Sequence, residues 1–296
     1  MTYTTVTNSA TNTINKNLIV PEVYSGLVRE KIAGKVIVSQ FAETDTTLVG
    51  TPGETLVFPQ WKFIGIAADH TPGTKMDTTK LKQSEAKATI KMVAAPGIEI
   101  EDSDNLVAWG NQMNEGVAQQ AISMALKLDD DCIDALLTAP VTSALAKDGE
   151  VTFDELIEAE GLFGDDFNVD DVDAIIIHSC YKKSFINMNG FVNKDLTYVD
   201  GNNAGVQRNN CIGSFMGVPV VVTDRLLRSG KHPIIILKKG ALKIISKEAP
   251  FVETARDASL RSTKVYCSDF YAVALMKEDA VVVMKYTAPV TPSTGG

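Results

Sequence analysis

Apolar and polar residues alternate with a period of two from Ala86 to Met92, and Leu56 to Ile64 is a largely apolar run. Both patterns predict strands. Pro59 lies inside the first run, so that strand belongs at an edge or a bulge. The residues between them, 67–84, include His70-Thr71-Pro72-Gly73 and Lys75, Lys80 and Lys82. They are too many for a tight turn and too polar for a core, and long segments of this kind are usually functional. Gly53 to Ile100 therefore reads as a long hairpin with a polar tip. Immediately afterwards the period changes. Leu106, Gly110, Met113, Val117, Ala121, Met124, Leu128, Cys132 and Ala135 advance by three or four residues each time. This stripe predicts one amphipathic helix over 104–139, roughly 50 Å long. Asp102, Ser103 and Asp104 are its N-cap candidates, and Pro140 stops it. Gly110 and Gly116 are either bend points or tolerated glycines.

The flanks are simpler. Residues 1–17 are rich in Thr and Asn and have no periodicity, so they read as an extended arm. Val20-Pro21-Glu22 opens a helix that Gly34 ends. In the second half, Thr152-Phe153-Asp154-Glu155 has the form of a capping box for a helix through Glu160. Ala174 to His178 reads as a buried strand, after which Ser179 caps a helix through about Met188. Further strands are expected at Val218–Thr223, Pro233–Lys238, Ala241–Ile245, Thr263–Leu275 and Ala280–Tyr286. Strand, helix, then several strands describe a small α/β or α+β domain in this half of the chain.

Composition narrows the functional classes. The 296 residues are 45% hydrophobic and 22% charged, with a formal net charge of −9. That is globular composition with room for two subdomains. The acidic balance argues against a protein that coats nucleic acid, but suits a wall that faces polyphosphate without gripping it. No apolar run approaches the roughly 20 residues a membrane span needs, and the N-terminus lacks signal-peptide order. A cytoplasmic site of synthesis follows as an expectation.

Candidate chemistry is sparse. Cys132, Cys180, Cys211 and Cys267 are far apart, with no metal spacing, so no metal or cofactor is expected. His178-Ser179-Cys180 follows a strand, as a hydrolase nucleophile would, but lacks the glycine elbow. His70 and His232 are the remaining candidate bases, each in a polar loop. The favoured reading of Cys180 is a thiol beside a helix cap; a cysteine hydrolase is the alternative. Asp129-Asp130-Asp131, and Asp165-Asp166 with Asp170-Asp171, read as solvated acidic faces. No catalytic residue is assigned.

Several segments, in order, resemble tailed-bacteriophage major capsid proteins. They are Asn17 to Val23, Gly53 to Trp61, Lys80 to Ser84, Ala88 to Lys91, the helix at 104–139, Glu253 to Asp257, and Phe270 to Met284. The resemblance implies the capsid fold shared by tailed phages and herpesviruses. It divides the chain into an N-terminal arm and first helix (1–43) and an extended hairpin loop with peripheral-domain strands (44–100). The spine helix of the peripheral domain (101–140), an axial domain (141–255), returning peripheral strands (256–288) and a flexible tail (289–296) complete it.

The implied function is a major capsid protein, not an enzyme. It would assemble as hexamers and pentamers into an icosahedral shell around double-stranded DNA, inside the bacterial host cytoplasm. A protein-cage compartment of the same fold is the alternative within that class. The short arm leads us to expect a separate scaffolding protein. A portal and a decoration protein are further family partners. Inter-subunit contacts are expected from Phe58, Trp61, Lys62, Phe63, Lys75, Lys80 and Lys82 of the extended loop. The lysines suit either pairing with a neighbour's carboxylates or a solvated charge run, and nothing in the sequence selects a crosslinking partner for them.

Overall fold

The structure is a computed structural model. It describes residues 36–50, 53–61, 83–103, 112–164, 168–188, 191–193 and 210–287, with isolated positions between 67 and 81. The expected N-terminal arm, the helix from Val20, most of the hairpin tip, residues 104–111 of the rod, Asp165-Asp166 and the C-terminal tail lie outside the described residues.

Among the described residues, three sheets organise the chain. Strand β2 (Thr55–Trp61) pairs there only with β3 (Gln83–Thr89), antiparallel, from Thr55↔Thr89 to Trp61↔Gln83. Pro59 sits in this two-stranded ladder, where a missing N–H is tolerated. Residues 86–92, expected as one strand, belong to two. The ladder with β2 ends at Thr89, and β4 (Lys91–Ala94) starts after Ile90 on a different partner. Period-two alternation survives a change of partner, so the pattern alone did not mark the break.

The new partner is β14 (Ser262–Leu275), the long strand of a six-stranded sheet. It pairs with β4, with β5 (Ile98–Glu101), with β12 (Leu242–Ser246) and with β13 (Phe251–Asp257), and β12 carries β1 (Glu43–Asp45). At Gly97, between β4 and β5, a Cβ would stand 2.6 Å from the Tyr266 ring, so a larger residue there would force the ring to move.

The seven-stranded sheet has the order β6 (Thr142–Leu145), β15 (Val281–Tyr286), β11 (Ile234–Lys238), β7 (Val172–Ile177), β10 (Val218–Val222), β9 (Cys211–Phe215) and β8 (Phe191–Asn193). The sheets do not divide at 255/256, where the sequence places the axial–peripheral boundary. β12 precedes that point and β13 spans it, yet both lie in the six-stranded sheet, while β15 follows it and lies in the seven-stranded one. A strand's sheet is set by which partner its backbone meets, and composition does not report that.

Both faces of the central strands are buried, which explains their unbroken apolar runs. Ala174 and Ile176, Ile235 and Leu237, and Val281 and Val283 enter one core; Ile175 and Ile177, Ile234 and Ile236, and Val282 and Met284 enter the other. The second core is closed by α2 (Phe153–Gly161) and α3 (Lys182–Ile186), through Leu156, Ala159 and Phe185. The capping box of α2 is present. The Thr152 hydroxyl accepts from Glu155 N–H, and a Glu155 oxygen accepts from Thr152 N–H at 2.7 Å.

The rod is α1 (Gln112–Leu136), 25 residues or roughly 37 Å. From Val117 onward its expected stripe lies on its buried face. Val117, Ala121 and Met124 pack with Val252, Val265 and Cys267. Farther along, Cys132, Ile133 and Leu136 join Val38 and Phe41 and residues of both large sheets. One helix thus contacts the six-stranded sheet at one end and the junction of the sheets at the other.

Candidate assembly surfaces

The hairpin meets the rest of the chain at its base. Leu56, Phe58 and Ile90 pack with Leu48, Ala88, Ile245, Ala272 and Ala274. Lys243 Nζ lies 5.4 Å from the centre of the Phe58 ring, and Lys247 Nζ donates to Gly53 O at 2.7 Å. The opposite face of the ladder, Thr55, Val57 and Pro59 with Glu85, Lys87 and Thr89, is exposed. The expected contact residues therefore differ in what they offer. Phe58 is half buried against its own chain, so only the rest of its ring is available to a neighbour. Trp61 ends β2, and its side chain lies outside the description, as do Lys62, Phe63 and Lys82. Lys75 and Lys80 are exposed, as is Leu81.

Asp129, Asp130 and Asp131 are not a solvated face. Asp129 is 1% exposed and accepts from the N–H groups of Ile37, Val38 and Ser39 and from the Ser39 hydroxyl. Asp131 pairs with Lys91 at 2.7 Å and Lys127 at 2.9 Å, and accepts from the buried Tyr271 hydroxyl. Burial alone would raise its pKa, but these donors outweigh burial and hold it below the ordinary carboxylate value. Asp130 binds the Arg225 guanidinium, and Asp134 binds Arg228 at 2.7 Å. A charge run on a helix normally faces water. Here successive carboxylates point to different neighbours, because residues one apart on a helix are about 100° apart in direction.

Cys180 lies in a short turn, Ser179–Tyr181, after β7. The turn is capped by His178, not by Ser179: His178 Nδ1 accepts from Cys180 N–H at 3.2 Å. His232 does lie in a loop, the one that leads into β11, and that loop adjoins the Cys180 turn. The register Ile235↔Ile176, continued outward, sets the start of β11 beside the end of β7. The rings of His178 and His232 stand 4.3 Å apart, and Asp148 Oδ2 is 3.0 Å from His232 Nδ1. Cysteine, histidine and aspartate thus adjoin, but the arrangement is poor for acyl transfer. Burial, then the charge of Asp148, raises the Cys180 thiol above its ordinary pKa, whereas a nucleophile needs a thiolate. The nearby backbone donors are occupied: Cys180 N–H by His178 Nδ1, Tyr181 N–H by His178 O, and Lys182 N–H by Ser179 O. None of these is left to stabilise an oxyanion.

Comparison with known proteins places these features. A family model described as "Phage capsid protein" matches residues 86–284. The chain is 30% identical over 278 residues to the major capsid protein of Staphylococcus phage phiMR11, spanning 91% of this chain and 94% of that one. The capsid of Cyanophage P-SCSP1u aligns with a TM-score of 0.63 at 15% identity, over 85% of this chain and 88% of its own. For the capsid of an empty GTA particle the TM-score is 0.62 at 12% identity, over 86% and 90%. The mature capsid of bacteriophage PhiM1 gives 0.60 at 15% identity, over 85% and 87%. The α+β architecture described above is the fold these capsids share with this chain.

Proposed function

From the premise that this chain belongs to the phage capsid protein family and forms the capsid shell of a phage, we propose that it does so as hexamers and pentamers held together through the 53–100 hairpin. The observation that carries this reading is the β2–β3 ladder, which pairs with no other strand among the described residues and is anchored only at its base. A two-stranded ladder is marginal in water by itself. Its exposed face, where Val57 is 46% exposed, gains stability when laid on a neighbouring subunit. Rotational repetition of one such contact closes a ring, and many modest contacts make a stable shell. Phe58, Trp61, Lys62, Phe63, Lys75, Lys80 and Lys82 are the contact residues we assign to it.

The net charge of −9 supports an inner wall that faces packaged double-stranded DNA without binding it. Assembly takes place in the host cytoplasm, with a separate scaffolding protein and a portal, and with a decoration protein where the outer surface carries one. The chain has no enzymatic role in this scheme, and the occupied amides at Cys180 support that. Among the described residues no helix is long and apolar enough to cross a membrane.

The test replaces residues 63–81 with a short Gly-Ser turn, which leaves β2, β3 and the hairpin base intact. The variant is expected to keep the wild-type circular dichroism and to sediment as unassembled subunits where wild type forms shells or rings in electron microscopy. Shells of normal size from the variant would overturn the role of the hairpin. Nucleic acid inside wild-type particles from infected cells supports the capsid reading; enzyme cargo in its place would make the particle a protein compartment.

A further inference from the structure

The histidine–cysteine cluster between β7 and β11 has features that shell formation does not use. His178, Cys180 and His232 bring one ligand atom each to within 4.8 Å of one another. We propose that these three side chains form a site for a divalent transition metal of the zinc class, with Asp148 as the carboxylate that positions His232.

The donor set is the first ground. Imidazole nitrogen and thiolate sulfur are the ligands this class of metal takes. With bond lengths of about 2.0–2.3 Å, tetrahedral ligands stand about 3.3–3.8 Å apart. Contraction from the observed spacing is a side-chain adjustment, and the two imidazoles already lean together, tilted by 44°.

The surroundings are the second ground. Metal-binding histidines commonly hold a carboxylate with the ring nitrogen that does not bind the metal. Asp148 does this once and also holds the backbone of the same residue: Oδ2 is 3.0 Å from His232 Nδ1, and Oδ1 accepts from the His232 backbone N–H at 3.0 Å. The buried Tyr181 hydroxyl donates to His232 O at 2.6 Å and fixes the same residue from behind. His232 Nε2 is thereby left to meet an ion. Gly149 holds the turn that carries Asp148 at φ +82°, and a Cβ there would lie 3.9 Å from Cys180 Cβ. The remaining coordination position belongs to water or to Asp224, which is exposed and has Oδ1 4.0 Å from His178 Nε2.

Binding has a definite chemical balance. The Cys180 thiol gives its proton to solvent as the sulfur–metal bond forms. His178 gives up the 3.2 Å bond from Cys180 N–H, either by moving its ring proton to Nδ1 or by presenting Nδ1 to the ion. One long hydrogen bond is exchanged for three coordination bonds. Cys132, Cys211 and Cys267 are buried, so Cys180 is the most accessible thiol of the four.

The test uses tag-free full-length protein and two probes, Zn²⁺ and Co²⁺. Equilibrium dialysis is expected to show one tightly bound metal per chain. The cobalt form is expected to show the intense visible bands of a tetrahedral site together with a thiolate-to-cobalt charge-transfer band. Cys180→Ser should lose the charge-transfer band and weaken binding at least tenfold, and Asp148→Asn should weaken binding roughly 10–100-fold while keeping that band. If Cys180→Ser does not fold, alkylation of wild type mapped by mass spectrometry decides: Zn²⁺ should protect Cys180. The proposal is overturned by the absence of stoichiometric binding, by a weak octahedral cobalt spectrum, or by Cys180 alkylation that zinc does not slow.

Discussion

At Asp129 one carboxylate serves three consecutive backbone N–H groups and a hydroxyl, from a position that is 1% exposed. Asp129→Ala would strand those donors, and each buried orphan costs about 1–3 kcal/mol. We expect a total loss of about 3–5 kcal/mol in urea unfolding of unassembled subunits; a loss below about 1 kcal/mol would mean that water replaces the carboxylate. Glu160 is the opposite case. It is 6% exposed, and its Oε1 has no hydrogen-bond partner among the described residues. Burial pushes its pKa from 4.5 up to about 7. Because the folded-state value is the higher one, the stability it contributes is full below pH 4.5 and is lost as pH rises through 7. Glu160→Gln should therefore exceed wild type in stability above pH 7, by about 3 kcal/mol at most, with the gap closing toward pH 4. Thermal unfolding across pH would reveal a constant gap if the carboxyl were ionised throughout.

Helix α2 depends on its first turn. The hydrogen bonds of Thr152 satisfy two amides at the helix end, and Glu155 also accepts from Ala146 N–H at 2.7 Å, which fastens the helix to the end of β6. Thr152→Ala should cost about 1 kcal/mol in unfolding experiments and leave shell formation intact. Failure to assemble would instead place this turn in an interface. The hairpin and α1 are equally local in origin: a period of two or of 3.6 appears in the chain because each element buries one face. Their limits are less local. β3 ends at Thr89 because a different strand, β14, takes over the pairing from Lys91 onward.

The molecule as a whole is joined through α1. Asp129 holds the 37–39 segment, Asp130 holds Arg225, which follows β10, and Asp131 holds Lys91 of β4 and Tyr271 of β14. These ties reach both large sheets. The pKa of Asp131 is depressed in the folded state, so its contribution is present above about pH 4 and is lost as acid protonates it. Asp131→Asn should lower stability at neutral pH and flatten the decline below pH 4. A variant with the acid sensitivity of wild type would show that other carboxylates govern acid unfolding.

Much of the fold was legible because burial on one face writes a period into the sequence. The strands of the seven-stranded sheet from Ala174, Val218, Pro233 and Ala280, the α2 cap and the buried stripe of α1 all follow from local pattern. The resemblance to capsid proteins, also read from local segments, agrees with the family to which the chain belongs. What the sequence did not carry was partnership across long separations. Asp129, Asp130 and Asp131 read as solvated because a charge run gives no sign of the distant groups that meet it, among them the Ile37 amide, the Arg225 guanidinium and the Tyr271 hydroxyl. His232 was one of two candidate bases for the Cys180 site, and the sequence could not set it beside His178, because only the antiparallel register of β7 and β11 does so. Periodicity is a property of one segment, and the sequence by itself determined the elements and their buried faces. The pairing of segments, and with it the charge hub on α1 and the histidine–cysteine cluster, was decided only when the sheets brought distant backbone into register.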